Sequence, residues 1–221
     1  MVKVLVEKHV RAIELRKQGW SYSAIKNELK ISKSTASMWL RHLPLSQKQL
    51  DALLFHNEHR IERFRTTMAK KKEIAFNLAL RAQKGQIGTL TQREIYLCGL
   101  ALYWSEGSKT TYSKLIFSNT DPRMIKFYLV WLKLGVVYPL ERIRIKLHLY
   151  MDMCVEDETH YWMGVTGLRA SQFVKPYIKT TTLRGITYKT RGHGTCNIIA
   201  SGLQYARPAL AGMEVLAEYF R

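Results

Sequence analysis

Residues 97–109 of this 221-residue chain, Leu-Cys-Gly-Leu-Ala-Leu-Tyr-Trp-Ser-Glu-Gly-Ser-Lys, hold the side chains best placed for chemistry. An apolar run ends on one carboxylate, Glu106, followed at once by Gly107. The pattern predicts a helix, and a carboxylate at a helix C-terminus adds negative charge where the macrodipole is already negative. A cation held there removes the conflict. Gly107 is read as the residue that lets the chain turn sharply out of the helix. Cys98, Ala101 and Ser105 fall at steps of three and four on one face, where small side chains let a second helix backbone approach. The plainer alternative is an ordinary buried helix that ends in a solvated glutamate.

The elements that must position this helix form an α+β domain. Lys114–Asn119 (KLIFSN) is expected to be a strand. Asp121-Pro122 is a helix opening, with Asp as cap and Pro in the first turn, and the helix is expected to run through Leu134 to a stop at Gly135. Arg142–Tyr150 (RIRIKLHLY) alternates basic and apolar residues, which predicts a strand with Arg142, Arg144, Lys146 and His148 on its wet face. Cations two residues apart on a strand repeat every ~6.6–6.8 Å, close to the ~7 Å between successive phosphates of one DNA strand. A helix over 157–167, segments at Phe173–Lys179 and Arg191–Ile199, and a closing helix over 203–219 complete the domain.

Lys and Arg outnumber Asp and Glu by 35 to 17, a formal charge of +18, of which +11 falls in residues 1–90 and +7 in 91–221. Such an excess points to an anionic partner. Its spread over both halves favours two nucleic-acid-contacting parts over a single membrane-seeking amphipathic segment. No apolar run of about 18 residues is present, and the start has no secretory pattern, so no membrane association is expected. Cys98, Cys154 and Cys196 are isolated and odd in number, which implies a reducing setting and offers no zinc pattern. The expected location is the cytoplasm, in association with the nucleoid.

Residues 1–45 read as three short helices. The first, Val4–Gln18, carries Val6, Val10, Ile13 and Leu15 and stops at Gly19. Ser21 caps a second over Tyr22–Leu29, and Ser32 caps a third over Lys33–His42, closed by Pro44. Two short helices joined by a turn of about three residues is a helix-turn-helix layout. On the third helix Ala36, Trp39 and Leu40 form the inner face, leaving Lys33, Ser34, Thr35, Ser37, Met38 and Arg41 outside. Small hydroxyls and basic groups suit a helix seated in a major groove. A three-helix packing module that binds nothing is the alternative.

Residues 46–88 read as a basic helical linker. Ser46-Gln47-Lys48-Gln49 is a capping box, and no proline or glycine follows before Gly85, so one long helix or two nearly collinear ones are expected. Leu50, Leu54, Asn57, Ile61, Phe64 and Met68 form a short coiled-coil-like seam, ringed by Arg60, Arg63, Arg65 and Lys70-Lys71-Lys72. It pairs with a second copy, or packs on the chain itself with its basic face along phosphates, or simply connects. Gly85-Gln86-Ile87-Gly88 is taken as a flexible joint, and residues 89–221 as the second domain.

The Gly99–Gly107 stretch resembles the signature helix of LAGLIDADG homing endonucleases, a resemblance that covers about residues 92–219. Glu stands where that family has Asp, and Trp104 occupies an earlier, non-catalytic Asp position. The resemblance implies a LAGLIDADG-type domain with a curved, mainly antiparallel sheet seated on the DNA groove. It implies that Glu106, with Gly107 closing the helix, binds Mg2+ or another divalent cation beside the DNA backbone. One signature per chain implies a homodimer through the 97–106 helix, acting on a roughly palindromic double-stranded site. Metal-assisted phosphodiester cleavage also needs a cation or proton donor for developing charge. Lys109, Lys175, Lys179 and His193 are the candidates, with Lys175, Lys179 and His193 entered beside Glu106 as catalytic. Ser118 and Asn119 lie near where the family places a water-positioning side chain. The N-terminal phrases Gly-Trp-Ser-Tyr-Ser-Ala-Ile and Ile-Ser-Lys-Ser-Thr-Ala-Ser-Met-Trp-Leu resemble the homeodomain-like helix-turn-helix of transposases and site-specific recombinases. The expected function is a homodimeric, metal-dependent, site-specific DNA endonuclease. The alternative is a non-cleaving helix-turn-helix transcription regulator on the same fold. An RNA-binding role fits the charge but not the helix-turn-helix.

Overall fold

Ser21, Ser32, Ser46 and Thr91 each open a helix by accepting a backbone N–H that has no partner in the first turn. Ala24 N donates to Ser21 Oγ at 3.1 Å and Thr35 N to Ser32 Oγ at 2.9 Å. Ser46 and Thr91 form full capping boxes with Gln49 and Glu94. The computed structural model describes residues 2–53, 56–180 and 192–220, with side chains for 5–53, 60–180 and 192–220. Contacts divide the chain into two units, Met1–Gly88 and Thr89–Arg221. Together they make a mixed α+β protein whose described strands all lie in the second unit.

The first unit contains α1 (Val2–Lys17), α2 (Tyr22–Leu29), α3 (Lys33–Leu40), α4 (Gln47–Asp51) and α5 (His56–Ile87). Its core joins Ala12 and Leu15 of α1 to Tyr22 and Ile25 of α2 and Ala36 and Leu40 of α3. Val6 and Val10 are 48% and 52% exposed; the inner face of α1 is turned to Ala12, Leu15 and Arg16. The cause is a buried ion pair. Arg16 Nη2 lies 2.8 Å from Glu62 Oε2 of α5, and Arg16 also donates to the carbonyls of Leu43 and Trp20. Of the two expectations for this segment, the structure has two helices: α4 ends at Asp51 and α5 begins at His56. Of the proposed seam, Leu50 is buried in α4 while Phe64 is 65% exposed; Leu54 and the Asn57 side chain lie outside the described residues. The helix runs through Gly85 to Ile87, so the chain breaks at Gly88, in the left-handed region at φ +58°.

The second unit follows the order α6 (Gln92–Glu106), β1 (Lys114–Asn119), α7 (Pro122–Val130), β2 (Arg144–Tyr150), α8 (Val155–Thr166), β3 (Phe173–Lys179), β4 (Thr195–Ser201) and α9 (Leu203–Glu218). The strands lie in the order β1-β4-β2-β3. β4 is antiparallel to both β1 and β2, while β2 and β3 run parallel across α8, so the sheet is mixed. One face carries Leu115, Phe117, Ile145, Leu147, Leu149, Cys196, Ile198 and Ala200, packed on Leu100, Tyr103, Ile125, Tyr128, Trp131, Trp162 and Met213 of the helices. The helix expected over 121–134 changes pitch after Val130. Trp131–Gly135 is a π-helical turn that drives the Trp131 ring between Gly99 and Gly135. Arg142 is not on the strand face: Leu140–Arg142 is a 3-10 turn, and β2 begins at Arg144. Arg191, the first residue of the last expected segment, lies outside the described residues, and the strand follows the glycine-flanked His193.

Candidate nucleic-acid interface

Two surfaces carry the residues expected to contact nucleic acid, one in each unit. On α3, Lys33, Ser34, Met38 and Arg41 are exposed, Ser37 and Thr35 are half-buried, and Ala36 and Leu40 are sealed in the core. Trp39 is half-buried, its ring 4.8 Å from that of His9 on α1. The outward row therefore keeps two cations, two small hydroxyls and a flexible methionine. Thr35 is less free than its position in the sequence suggests. Its hydroxyl lies 2.7 Å from Ser32 Oγ, within the cap that starts the helix.

The second surface is the face of the sheet turned away from the core. Register places Ser118, Asn197, Lys146 and Val174 in one row across β1, β4, β2 and β3, and Thr195, His148 and Tyr177 in the next. None of the described strands carries an Asp or Glu. Arg144, Lys146 and His148 keep the alternation expected of them, each half-buried or exposed. Arg144 folds back to donate to the carbonyls of Glu141 and Ile143, which leaves Lys146 as the free ammonium of that strand. Burial pulls the His148 imidazole below its ordinary value, and Lys146 and Lys179 add to the shift. Lys179 Nζ sits 4.7 Å above the Tyr150 ring. Asn119 is taken up locally, its Oδ1 accepting the Asp121 N–H at 2.8 Å. Asn197, Thr195 and Tyr177 were missed in the sequence. The period-two spacing of Thr195 and Asn197 was readable, but Tyr177 reaches this face only through a bulge.

Glu106 is the last residue of α6 and is exposed. Gly107 does not use a left-handed turn, since it is extended at φ −75° and ψ 153°. What it supplies is room: a Cβ there would stand 2.3 Å from the Tyr103 ring, and Gly107 pairs with Phe117 at the β1 edge. Ile95, Gly99, Leu100 and Tyr103 face the core, while Cys98, Ala101, Trp104 and Ser105 are exposed on the opposite side of the helix.

The four catalytic candidates do not converge within one chain. Glu106 lies beyond the β1 edge, and Lys175 and Lys179 lie on β3 at the other edge, with β1, β4 and β2 between them. His193 precedes β4, its Nδ1 2.8 Å from Glu158 Oε2 and its ring stacked on Tyr161, both of α8. Lys109 is exposed three residues beyond Glu106. Among the described residues, no three His, Cys, Asp or Glu side chains come together as a metal site. One exposed carboxylate does not fit a divalent ion by itself. No helix of the described residues is long and apolar enough to cross a membrane. Comparison with protein-family models, curated proteins and solved structures finds no match to this chain.

Proposed function

We propose that the chain is a site-specific double-stranded DNA-binding protein that works as a homodimer and hydrolyses a DNA phosphodiester. The observation that carries the DNA reading is the sheet face, with Lys146 and Lys179 and no carboxylate on its strands. Such a face attracts phosphates and repels basic proteins. The exposed hydroxyls and cations of α3 add the means to read base edges.

The dimer reading rests on the bare face of α6. Cys98, Ala101 and Ser105 are exposed and small, with Trp104 42% exposed beside them. Two copies meeting there bring together the second Glu106 that a single chain lacks. A divalent ion held by that pair would lower the pKa of a bound water and offset charge on the departing oxygen. The test is nicking or linearisation of a plasmid library with Mg2+ and with other divalent ions. Glu106→Gln is expected to abolish cleavage while duplex binding persists. The lone carboxylate per chain favours one other reading, the non-cleaving regulator. If the wild-type protein binds specific duplexes yet cuts none with any metal, that reading replaces the nuclease.

The dimer has its own test in the thiols. Cys196 is fully buried, and burial pushes its thiol up to about 12, whereas Cys98 and Cys154 are exposed. A maleimide is therefore expected to label Cys98 and Cys154 and to spare Cys196. Raising the protein concentration should slow labelling of Cys98 and leave Cys154 unchanged, as read by mass spectrometry of timed samples. Equal Cys98 rates at all concentrations, with monomeric sedimentation on and off DNA, would remove the dimer.

A further inference from the structure

The β3 end of the open sheet face presents rings as well as ammonium groups. Tyr177 is 53% exposed, with the His148 ring set edge-on at 5.5 Å and 68°. Lys146 lies two residues before His148 and Lys179 two after Tyr177, and Val174 is 40% exposed alongside. A bulge creates this arrangement. Lys146 pairs with Val174 but His148 pairs with Tyr177, so Lys175 and Pro176 together face the single residue Leu147. Without the extra residue, the period-two alternation would send Tyr177 to the opposite side of the strand.

We infer that this corner binds single-stranded DNA, an unpaired base stacking on the Tyr177 ring while Lys146 and Lys179 take the flanking phosphates. A duplex offers groove edges and phosphates, and its base faces are already stacked, so cations alone would serve it. An exposed ring between cations suits a base with a free π-face. The wall of this seat is uncharged near neutral pH, because burial first, then Lys146 and Lys179, lowers the His148 pKa. The inference rests on the DNA reading above only for the identity of the polymer.

Fluorescence anisotropy with the full chain and a labelled oligothymidylate tests it. Tyr177→Ala is expected to weaken binding about tenfold and Tyr177→Phe to stay near wild type, since the ring does the stacking. Lys146→Ala should flatten the salt dependence, by roughly 0.7 in log–log slope for one lost phosphate contact, whereas Tyr177→Ala should not. Tyr177→Ala binding like wild type, Tyr177→Phe losing as much as Ala, or oligouridylate binding more tightly than oligothymidylate would each overturn the inference. Arg41→Ala on α3 is expected to weaken duplex binding and leave the oligothymidylate bound. Tyr177-dependent binding of the single strand with no duplex binding leaves the inference standing and removes the duplex reading. Duplex binding with no single-strand binding does the reverse.

Discussion

Glu62→Ala is expected to destabilise the first unit by about 3–5 kcal/mol, the range for removing one partner of a buried ion pair. Arg16 is 2% exposed and Glu62 4%, so the cation left behind has almost no access to water. The guanidinium keeps its bonds to the Leu43 and Trp20 carbonyls, but these are dipoles and do not replace a full charge. Arg65 also loses its partner, 3.2 Å from Glu62 Oε1, and both arginines lie over the Tyr22 ring at 4.4 and 4.2 Å. For a unit of 88 residues, total stability is on the order of 5–10 kcal/mol, so the loss is a large share. Urea unfolding followed by circular dichroism measures it. Glu62→Gln, which keeps an acceptor, should fall between wild type and Ala. Arg16→Met with Glu62→Leu should recover much of the loss, because apolar replacements carry no desolvation cost. A Glu62→Ala cost below about 1 kcal/mol would mean that water or another acid reaches Arg16. The pair also ties α5 to α1, so the same variant should weaken the proposed duplex binding through loss of fold.

This pair marks where the sequence stops being legible. α2 and β1 have the bounds that spacing and caps dictate, because a hydroxyl cap, a left-handed residue at Lys30 and alternating apolar residues act within one element. Arg16 and Glu62 are 46 positions apart, and nothing local says that an arginine in an amphipathic helix points inward. The π-helical turn at Trp131 answers to Gly99 on α6 as well as to its own Gly135. The site divides in the same way. The outer row of α3 and the alternation of Arg144, Lys146 and His148 follow from period alone. Tyr177 does not, because a bulge inverts the alternation on β3, and His193 finds Glu158 only through the packing of α8. Glu106 is at the helix end, as its place before Gly107 suggested, but its neighbour's role is space and not a turn.

Gly99→Ala is expected to destabilise the second unit by about 2–3 kcal/mol, although alanine is the better helix former. A Cβ at position 99 would lie 1.8 Å from Trp131 Cδ1 and 2.0 Å from Cγ, about half the separation of atoms in van der Waals contact. The ring has nowhere to go. It is fully buried, its Nε1 donates to the Tyr96 carbonyl at 3.2 Å, and Tyr103 and Tyr128 flank it at 5.8 and 5.4 Å. Gly135 closes the other side, where a Cβ would stand 2.8 Å from the same carbon. Helix propensity returns about 1 kcal/mol, and overpacking a rigid buried ring costs about 3 or more, so the clash wins. Thermal unfolding of the variant should show it as a lowered midpoint, roughly 3–5 °C per kcal/mol for a unit of this size. Gly99→Ala combined with Trp131→Leu should cost less than the sum of the two changes, since each relieves the other. The outcome also bears on how α6 meets a partner. If Gly99 serves Trp131, the first glycine of the Gly99–Gly107 stretch lies inside the chain, and the Cys98, Ala101 and Ser105 face is the one left for the proposed second copy. A Gly99→Ala variant that folds with wild-type stability but no longer dimerises would reverse that assignment and move the interface to the Gly99 side.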